Sequence, residues 1–304
     1  MRQKYIDKNF GAEALKMIGT INGILREYAE SGYDLSLRQA FYQLVARGII
    51  PNTERSYKNT GNLVSDARLA GLMDWDMIKD RGRTVVNNNH WNSPAEIIDA
   101  CARQFRVDRW ENQPCRVICM VEKQALEGVL LPVCRELDIS FSANKGYSSS
   151  SALREIGLVI KEWLEGGSEV HVIYLGDHDP SGIDMTRDVL ERLRQFSEAD
   201  QDDNLVMDVH RVALNMDQVE ELNPPQNPAK LTDSRAAEYI RRFGDKSWEL
   251  DAIEPKALAR LVTDAVLELR DEDLWERSGR EQQRGRDYLS KMSRDYTPEE
   301  DDES

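Results

Sequence analysis

The segment VIYLGDHDPSGIDM, residues 172–185, sets two aspartates, Asp177 and Asp179, on either side of one histidine at the end of an apolar run. Carboxylates this close raise each other's pKa, so something must offset the repulsion, and a divalent cation is the usual means. Another acid, Glu122, ends a second apolar run, RVICMV at 116–121. If the two runs are neighbouring parallel strands, three carboxylates meet beyond their C-terminal ends, where ligands bind in such sheets. Hard oxygen donors of this kind suit Mg²⁺ or Mn²⁺ completed by water and substrate phosphate. Gly176 and Gly182 lack the Cβ that would hold backbone and phosphate apart. A simpler use stands beside this one. Asp179 precedes Pro180 and could cap a helix, and Glu122 could favour the dipole of the next helix. His178 faces away from both aspartates if the segment stays extended, and so supports the acids without binding with them.

These residues need strands to carry them, and the pattern from Pro114 onward supplies them. RVICMVEK, DISFSA, EVHVIYLGD and LVMDVHRVAL read as strands. They alternate with helical stretches: QALEGVLLPVCREL, SSSSALREIGLVIKEWLEGG and PSGIDMTRDVLERLRQF. That alternation predicts an α/β domain with a parallel sheet covered on both faces. The first third is helical instead. Residues 12–28 are amphipathic. Ser36 caps a helix with Leu37, Phe41, Leu44 and Val45 at helical spacing, and Gly48 and Pro51 stop it. A second helix ends near Gly71, and the following DWDMIKDRGRTV could form a wing, with Arg81 and Arg83 placed to contact a phosphate backbone. The expected organisation is a helical, winged-helix-like domain over 1–112, a metal-binding α/β domain over 113–260, and a C-terminal helix and acidic tail over 261–304. That last helix could be broken near Gly279. GYSSSS at 146–151 would cap a helix or hold phosphate on its N–H groups.

The chain has 304 residues and a net charge of −15, which argues against a protein coated in nucleic acid. The charge is uneven. Residues 36–116 hold 12 basic against 9 acidic side chains, and those from Val117 onward carry −18. The tail TPEEDDES is a like-charge run of the solvated kind. No apolar stretch is long enough to span a membrane, and the N-terminus lacks the apolar core of a signal peptide. The four cysteines have neither disulfide-framework nor zinc spacing and read as reduced core thiols, which fits a cytoplasmic protein.

A glutamate after one strand and GDHDPSG after another resemble the TOPRIM domain of topoisomerases, primases and some nucleases. The form GDHDPSGIDM is most similar to the topoisomerase VI A-like family, the type IIB topoisomerase A proteins that cleave DNA. In that family a winged-helix domain precedes TOPRIM and carries a nucleophilic tyrosine four residues after an arginine. Here LRQAFYQLV offers Arg38 and Tyr42, with Gln39 where the family has aspartate. The resemblance implies that Glu122, Asp177 and Asp179 hold Mg²⁺ or Mn²⁺, that Arg38 and Glu122 assist catalysis, and that Tyr42 attacks double-stranded DNA. It further implies a homodimer in which one protomer's tyrosine meets the other's metal site. The chain is shorter than the full-length members of that family and has no GxxxxGK[ST] phosphate loop, so ATP-coupled strand passage would need a separate ATPase or accessory protein. On residues alone Tyr42 could equally be a core aromatic. The alternative is then a TOPRIM nuclease in which water attacks, acting in defence or in a mobile element. Glu249, in SWELDAI, is a further residue that could face the metal edge or support an interface.

Overall fold

The computed structural model describes residues 2–78, 88, 90–143, 150–202, 204–229 and 232–296. The 79–85 part of the expected wing, with Arg81 and Arg83, the 146–149 part of the glycine-serine segment, and the tail after Tyr296 lie outside the described residues. In chain order the helices and strands are α1 (Ala12–Glu30), α2 (Leu37–Ala46), α3 (Glu54–Leu69), α4 (Pro94–Gln104), β1 (Cys115–Val121), α5 (Glu127–Glu136), β2 (Ser140–Ala143), α6 (Ser150–Glu165), β3 (Glu169–Leu175), α7 (Pro180–Ser197), β4 (Met207–Ala213), α8 (Met216–Leu222), β5 (Gln226–Pro228), α9 (Ala236–Phe243), β6 (Lys246–Trp248), α10 (Pro255–Leu267) and α11 (Glu272–Asp295). By packing, the chain forms two units, residues 1–81 with 116–268, and 82–115 with 269–304.

In the larger unit, β1 to β4 form a parallel sheet in the order β2-β1-β3-β4. The protein is therefore α/β, as the alternation of apolar runs and amphipathic stretches predicts. Val170, Val172 and Tyr174 of β3 pack on Leu153 and Ile160 of α6 and on Val189 and Leu193 of α7. The alternate residues, Ile173 and Leu175, are buried on the other side, where α10 meets β3, β4 and α5. The helical first third has its own core, in which Ile18, Ile21 and Leu25 of α1 meet Leu44 of α2 and Val64 of α3.

The start of α2 is fixed by a capping box. Ser36 Oγ accepts from Gln39 N at 3.3 Å, and Gln39 Oε1 accepts from Ser36 N at 2.8 Å. Gln39, which departs from the family pattern, therefore has a local use. Elsewhere α6 and α7 approach so closely that a Cβ on Gly157 would lie 2.4 Å from Phe196 Cβ. Gly157→Ala gains about 1 kcal/mol of helix propensity but meets an overpacking cost of roughly 1–3 kcal/mol or more. A net loss of about 1–2 kcal/mol is expected in urea unfolding, whereas a more stable variant would show that the helices part freely.

In the smaller unit α4 packs along α11. A Cβ on Gly285 would lie 2.2 Å from Phe105 Cε1, so the glycine permits the close crossing. Arg109 lies over the Trp275 ring at 3.4 Å and donates to Trp275 O at 2.8 Å. Gly279, expected to break the C-terminal helix, lies inside α11. The break falls at 268–271, where Asp271 Oδ1 accepts from Leu274 N at 3.0 Å and caps α11. The cysteines are free, and three are buried. Cys101 is exposed on α4, which corrects its reading as a core thiol.

Candidate active site

Strands β1 and β3 are neighbours, so their final acids meet. Glu122 N donates to Leu175 O at 2.9 Å, and Glu122 Oε2 accepts from Asp177 N at 2.8 Å. The glycines permit this. A Cβ on Gly176 would lie 2.9 Å from Glu122 Oε2, and one on Gly182 would lie 2.2 Å from Asp177 O. Asp179 has the capping role open to it from sequence: its Oδ1 accepts from Gly182 N at 2.6 Å and Ser181 Oγ at 3.0 Å at the start of α7.

Asp177 is held differently from the other two. Its Oδ1 accepts from Leu250 N at 2.7 Å, and its Oδ2 lies 2.8 Å from Lys123 Nζ. Lys123 also reaches Asp251 Oδ1 at 3.2 Å and pairs with Glu249 Oε2. Both acids are delivered by β6, whose Trp248 exchanges backbone hydrogen bonds with His178 at 2.9 Å in each direction. Glu249 thus faces the acid edge.

Helix α2 closes the cluster. Arg38 Nη2 donates to Glu249 Oε2 at 2.8 Å, and Arg38 Nε lies 2.7 Å from Asp251 Oδ2. The Asp251 side chain is fully buried. Arg38 Nη2 also comes within 3.4 Å of Tyr42 Oη. Tyr42 itself is 4 % exposed and packs with Phe41 and Ala252. A surface pocket of about 170 Å³ lies against it, lined in part by Arg38, Asn52 and Tyr57.

Arg211, on β4, binds the acidic loop from behind. It donates to the carbonyls of Gly176 (3.0 Å), Asp177 (2.6 Å), Gly182 (3.0 Å) and Leu214 (3.2 Å), and to Thr186 Oγ1 (2.7 Å). His178 turns into an aromatic nest of Tyr239, Phe243 and Trp248, with Nδ1 2.7 Å from Tyr239 Oη. Tyr239 Oη also lies within 3.0 Å of the His178 and Lys246 carbonyls. Its single proton goes to one of them, which leaves His178 Nδ1–H as the donor to the tyrosine.

The electrostatics follow from this packing. Burial pushes Asp177 up to about 7 in spite of Lys123, and it raises Glu122 as well. Burial opposes the Lys123 charge, but Asp177, Asp251 and Glu249 outweigh it and hold the ammonium above its usual range. Burial, then Glu249 and Asp251, raises the Tyr42 phenol. Burial lowers the Arg211 guanidinium, and burial with Arg211 pushes His178 down to about 4.

The sequence singled out Arg38, Tyr42, Glu122, Asp177 and Asp179, and one cluster holds all five. Lys123, Asp251 and Arg211 were not singled out. Lys123 follows directly on Glu122 at a strand end, which is a usable signal. An arginine in mid-strand gives none.

A divalent ion fits the charge and chemistry of the edge. Counted as fully ionised, five carboxylates (Glu122, Asp177, Asp179, Glu249 and Asp251) face three cations (Lys123, Arg38 and Arg211), a formal excess of two negative charges, and the raised pKa values of Asp177 and Glu122 reflect burial together with that crowding. The geometry divides the acids. Glu122 and Asp179 each keep an oxygen outside the hydrogen bonds described above, whereas Asp177 has both engaged. Among the described residues, the group of three ligand side chains with donor atoms all within 4.8 Å of one another is His171, Asp208 and His210, not the acids. No family model, curated protein or solved structure matches the chain.

Proposed function

We propose that the chain is a Mg²⁺- or Mn²⁺-dependent DNA-cleaving enzyme of the type IIB topoisomerase A kind, built from a winged-helix-like domain and a TOPRIM domain. The observation that carries this reading is the single cluster in which Arg38 and Tyr42 of α2 are linked, through Glu249 and Asp251 and then Lys123, to Asp177 at the end of β3. Glu122 and Asp179 would hold the ion, with Asp177 beside them on Lys123. The ion would stabilise charge on the phosphate and on the leaving oxygen. Tyr42 Oη would attack the phosphorus as the P–O3′ bond breaks, the phenolic proton passing by way of solvent to the departing 3′-oxygen, which leaves as a free 3′-hydroxyl with the 5′-phosphate on the tyrosine. Double-stranded DNA is the substrate and a homodimer makes the paired cuts, each Tyr42 acting beside the acids of its own chain and not across the dimer as the resemblance implies, while a separate ATPase or accessory protein would couple the cuts to strand passage.

A second reading, a hydrolytic nuclease in which water attacks, is favoured by one observation. Tyr42 is buried, and its phenol is shifted away from ionisation. Supercoiled plasmid incubated with Mg²⁺ or Mn²⁺ and stopped with detergent, with and without protease, separates the two. Covalent cleavage gives DNA that enters the gel after protease treatment and is lost in Tyr42→Phe. Hydrolysis gives free ends that persist in Tyr42→Phe. Glu122→Gln removes cleavage in either case, by at least ~100-fold on the scale of lost electrostatic stabilisation. Full activity in Glu122→Gln would rule out the acid edge as the active site.

A further inference from the structure

The other end of the sheet carries a different set of donors. Asp208 and His210 are two apart on the edge strand β4, so both side chains stand on one face. His171 on β3 pairs in register with Asp208, and His210 pairs with the next residue of that face, Ile173. The result is a triangle of two imidazoles and a carboxylate with all donor atoms within 4.8 Å. His171 Nδ1 lies 2.9 Å from His210 Nε2. His171 is also six residues before Asp177 along the chain, roughly 20 Å for extended backbone, so this site is separate from the acid edge.

We propose that His171, Asp208 and His210 bind a divalent transition metal of the zinc kind. Imidazole nitrogen with one carboxylate is a donor set of that class, whereas Mg²⁺ prefers all-oxygen sites. Three protein ligands leave a position for water. Glu169 lies on the Nε2 side of His171, with Oε2 3.8 Å away. A small rotation would bring that carboxylate within hydrogen-bond reach of Nε2–H and leave the Nδ1 lone pair that faces His210 for the ion, the orienting arrangement common at metal-bound histidines. Zinc–nitrogen bonds of about 2.0–2.1 Å at a tetrahedral angle set nitrogens about 3.3 Å apart. The imidazoles need to separate by roughly 0.4 Å to reach that spacing, and His210 and Asp208 are exposed enough to turn. The ion would cross-link β3 to the open edge of the sheet.

The test uses the full chain without a histidine tag, stripped of metal and titrated with Zn²⁺ against a chromophoric chelator. About one ion per chain is expected, with loss of that ion in His210→Ala and His171→Ala and at least ~10-fold weaker binding in Asp208→Asn. Binding should also raise the unfolding temperature of the parent chain and not of His210→Ala. His210 is exposed, so this variant keeps the test valid even if His171→Ala fails to fold. Cys101→Ser should retain the ion. No uptake by the parent chain, uptake unchanged in both histidine variants, or loss in Cys101→Ser would each overturn the proposal.

Discussion

Lys123→Met should cost about 3–5 kcal/mol of folding stability at pH 8, the scale for breaking a buried ion pair from one side. The ammonium is shared by Asp177, Glu249 and Asp251, and Arg38 already holds the last two, so its loss strands Asp177 with no cation at its Oδ2. Methionine keeps the stem, so the comparison isolates charge. The deficit should shrink as pH falls. Asp177 has its folded pKa raised to about 7 from 3.8, so the folded state binds its proton more readily than the unfolded chain does. Its burden is absent below the unfolded value and grows as pH rises through the folded one. Lys123 is one of the influences lowering that pKa, so removing it raises the value further and widens the window. His178, pushed down to about 4, has the opposite sign, because the neutral ring loses stability as pH falls below its ordinary value. It is present in both proteins and cancels in their difference. Because the parent pKa is already about 7, the two curves separate only above that value, so urea unfolding of parent and variant at pH 8, 7, 6 and 5, in chelator, should converge by about 1 kcal/mol, most of it between pH 8 and 7. A difference that stays constant with pH would mean that Lys123 contributes packing and not charge.

Arg211→Met should be the most damaging single change near the site. It removes a donor from four main-chain carbonyls and the Thr186 hydroxyl in one step; Gly176 O keeps the Leu214 N–H and Gly182 O the Thr186 hydroxyl, whereas the Asp177 and Leu214 carbonyls lose the donor described for them. An unsatisfied buried acceptor costs about 1–3 kcal/mol, so even with partial rehydration the sum is roughly 4 kcal/mol or more. That is a large part of the roughly 5–15 kcal/mol by which domains are stable. It corresponds to a fall in Tm of roughly 8–16 °C, read by circular dichroism. Arg211→Lys keeps the charge, but its ammonium has three donors and cannot span carbonyls on both sides of the loop. It should recover less than half of the loss. Equal stability of the lysine variant and the parent would show that charge, and not the forked geometry, holds the loop. Because the bonded carbonyls include those of Gly176, Asp177 and Gly182, any folded Arg211 variant should also lose the proposed metal-dependent cleavage.

Much of this protein was written in local pattern. The four apolar runs became β1 to β4, since short β-rich segments between amphipathic helices have few other ways to bury both faces. Ser36 with Gln39 three residues on specified the start of α2. Asp179 before Pro180 specified the start of α7. Acids at the ends of two strands were enough to expect a shared edge, and Glu122 does meet Asp177 N–H. The C-terminal break was misplaced because a glycine reads locally as a helix breaker, whereas Gly279 is used for close approach to Arg109 and the stop comes from a new cap at Asp271. What answers the repulsion between the acids lay beyond sequence. The cations are Lys123 on the strand end, Arg38 on a helix in the first third and Arg211 on a strand's interior, and no spacing rule connects them. Asp251 looks like an ordinary loop acid until β6 docks against His178 and carries it, fully buried, to Arg38. Backbone propensity acts over a few residues. A charge in a low-dielectric interior is satisfied by whichever partner the chain brings within about 3–4 Å, and only the tertiary fold decides which that is.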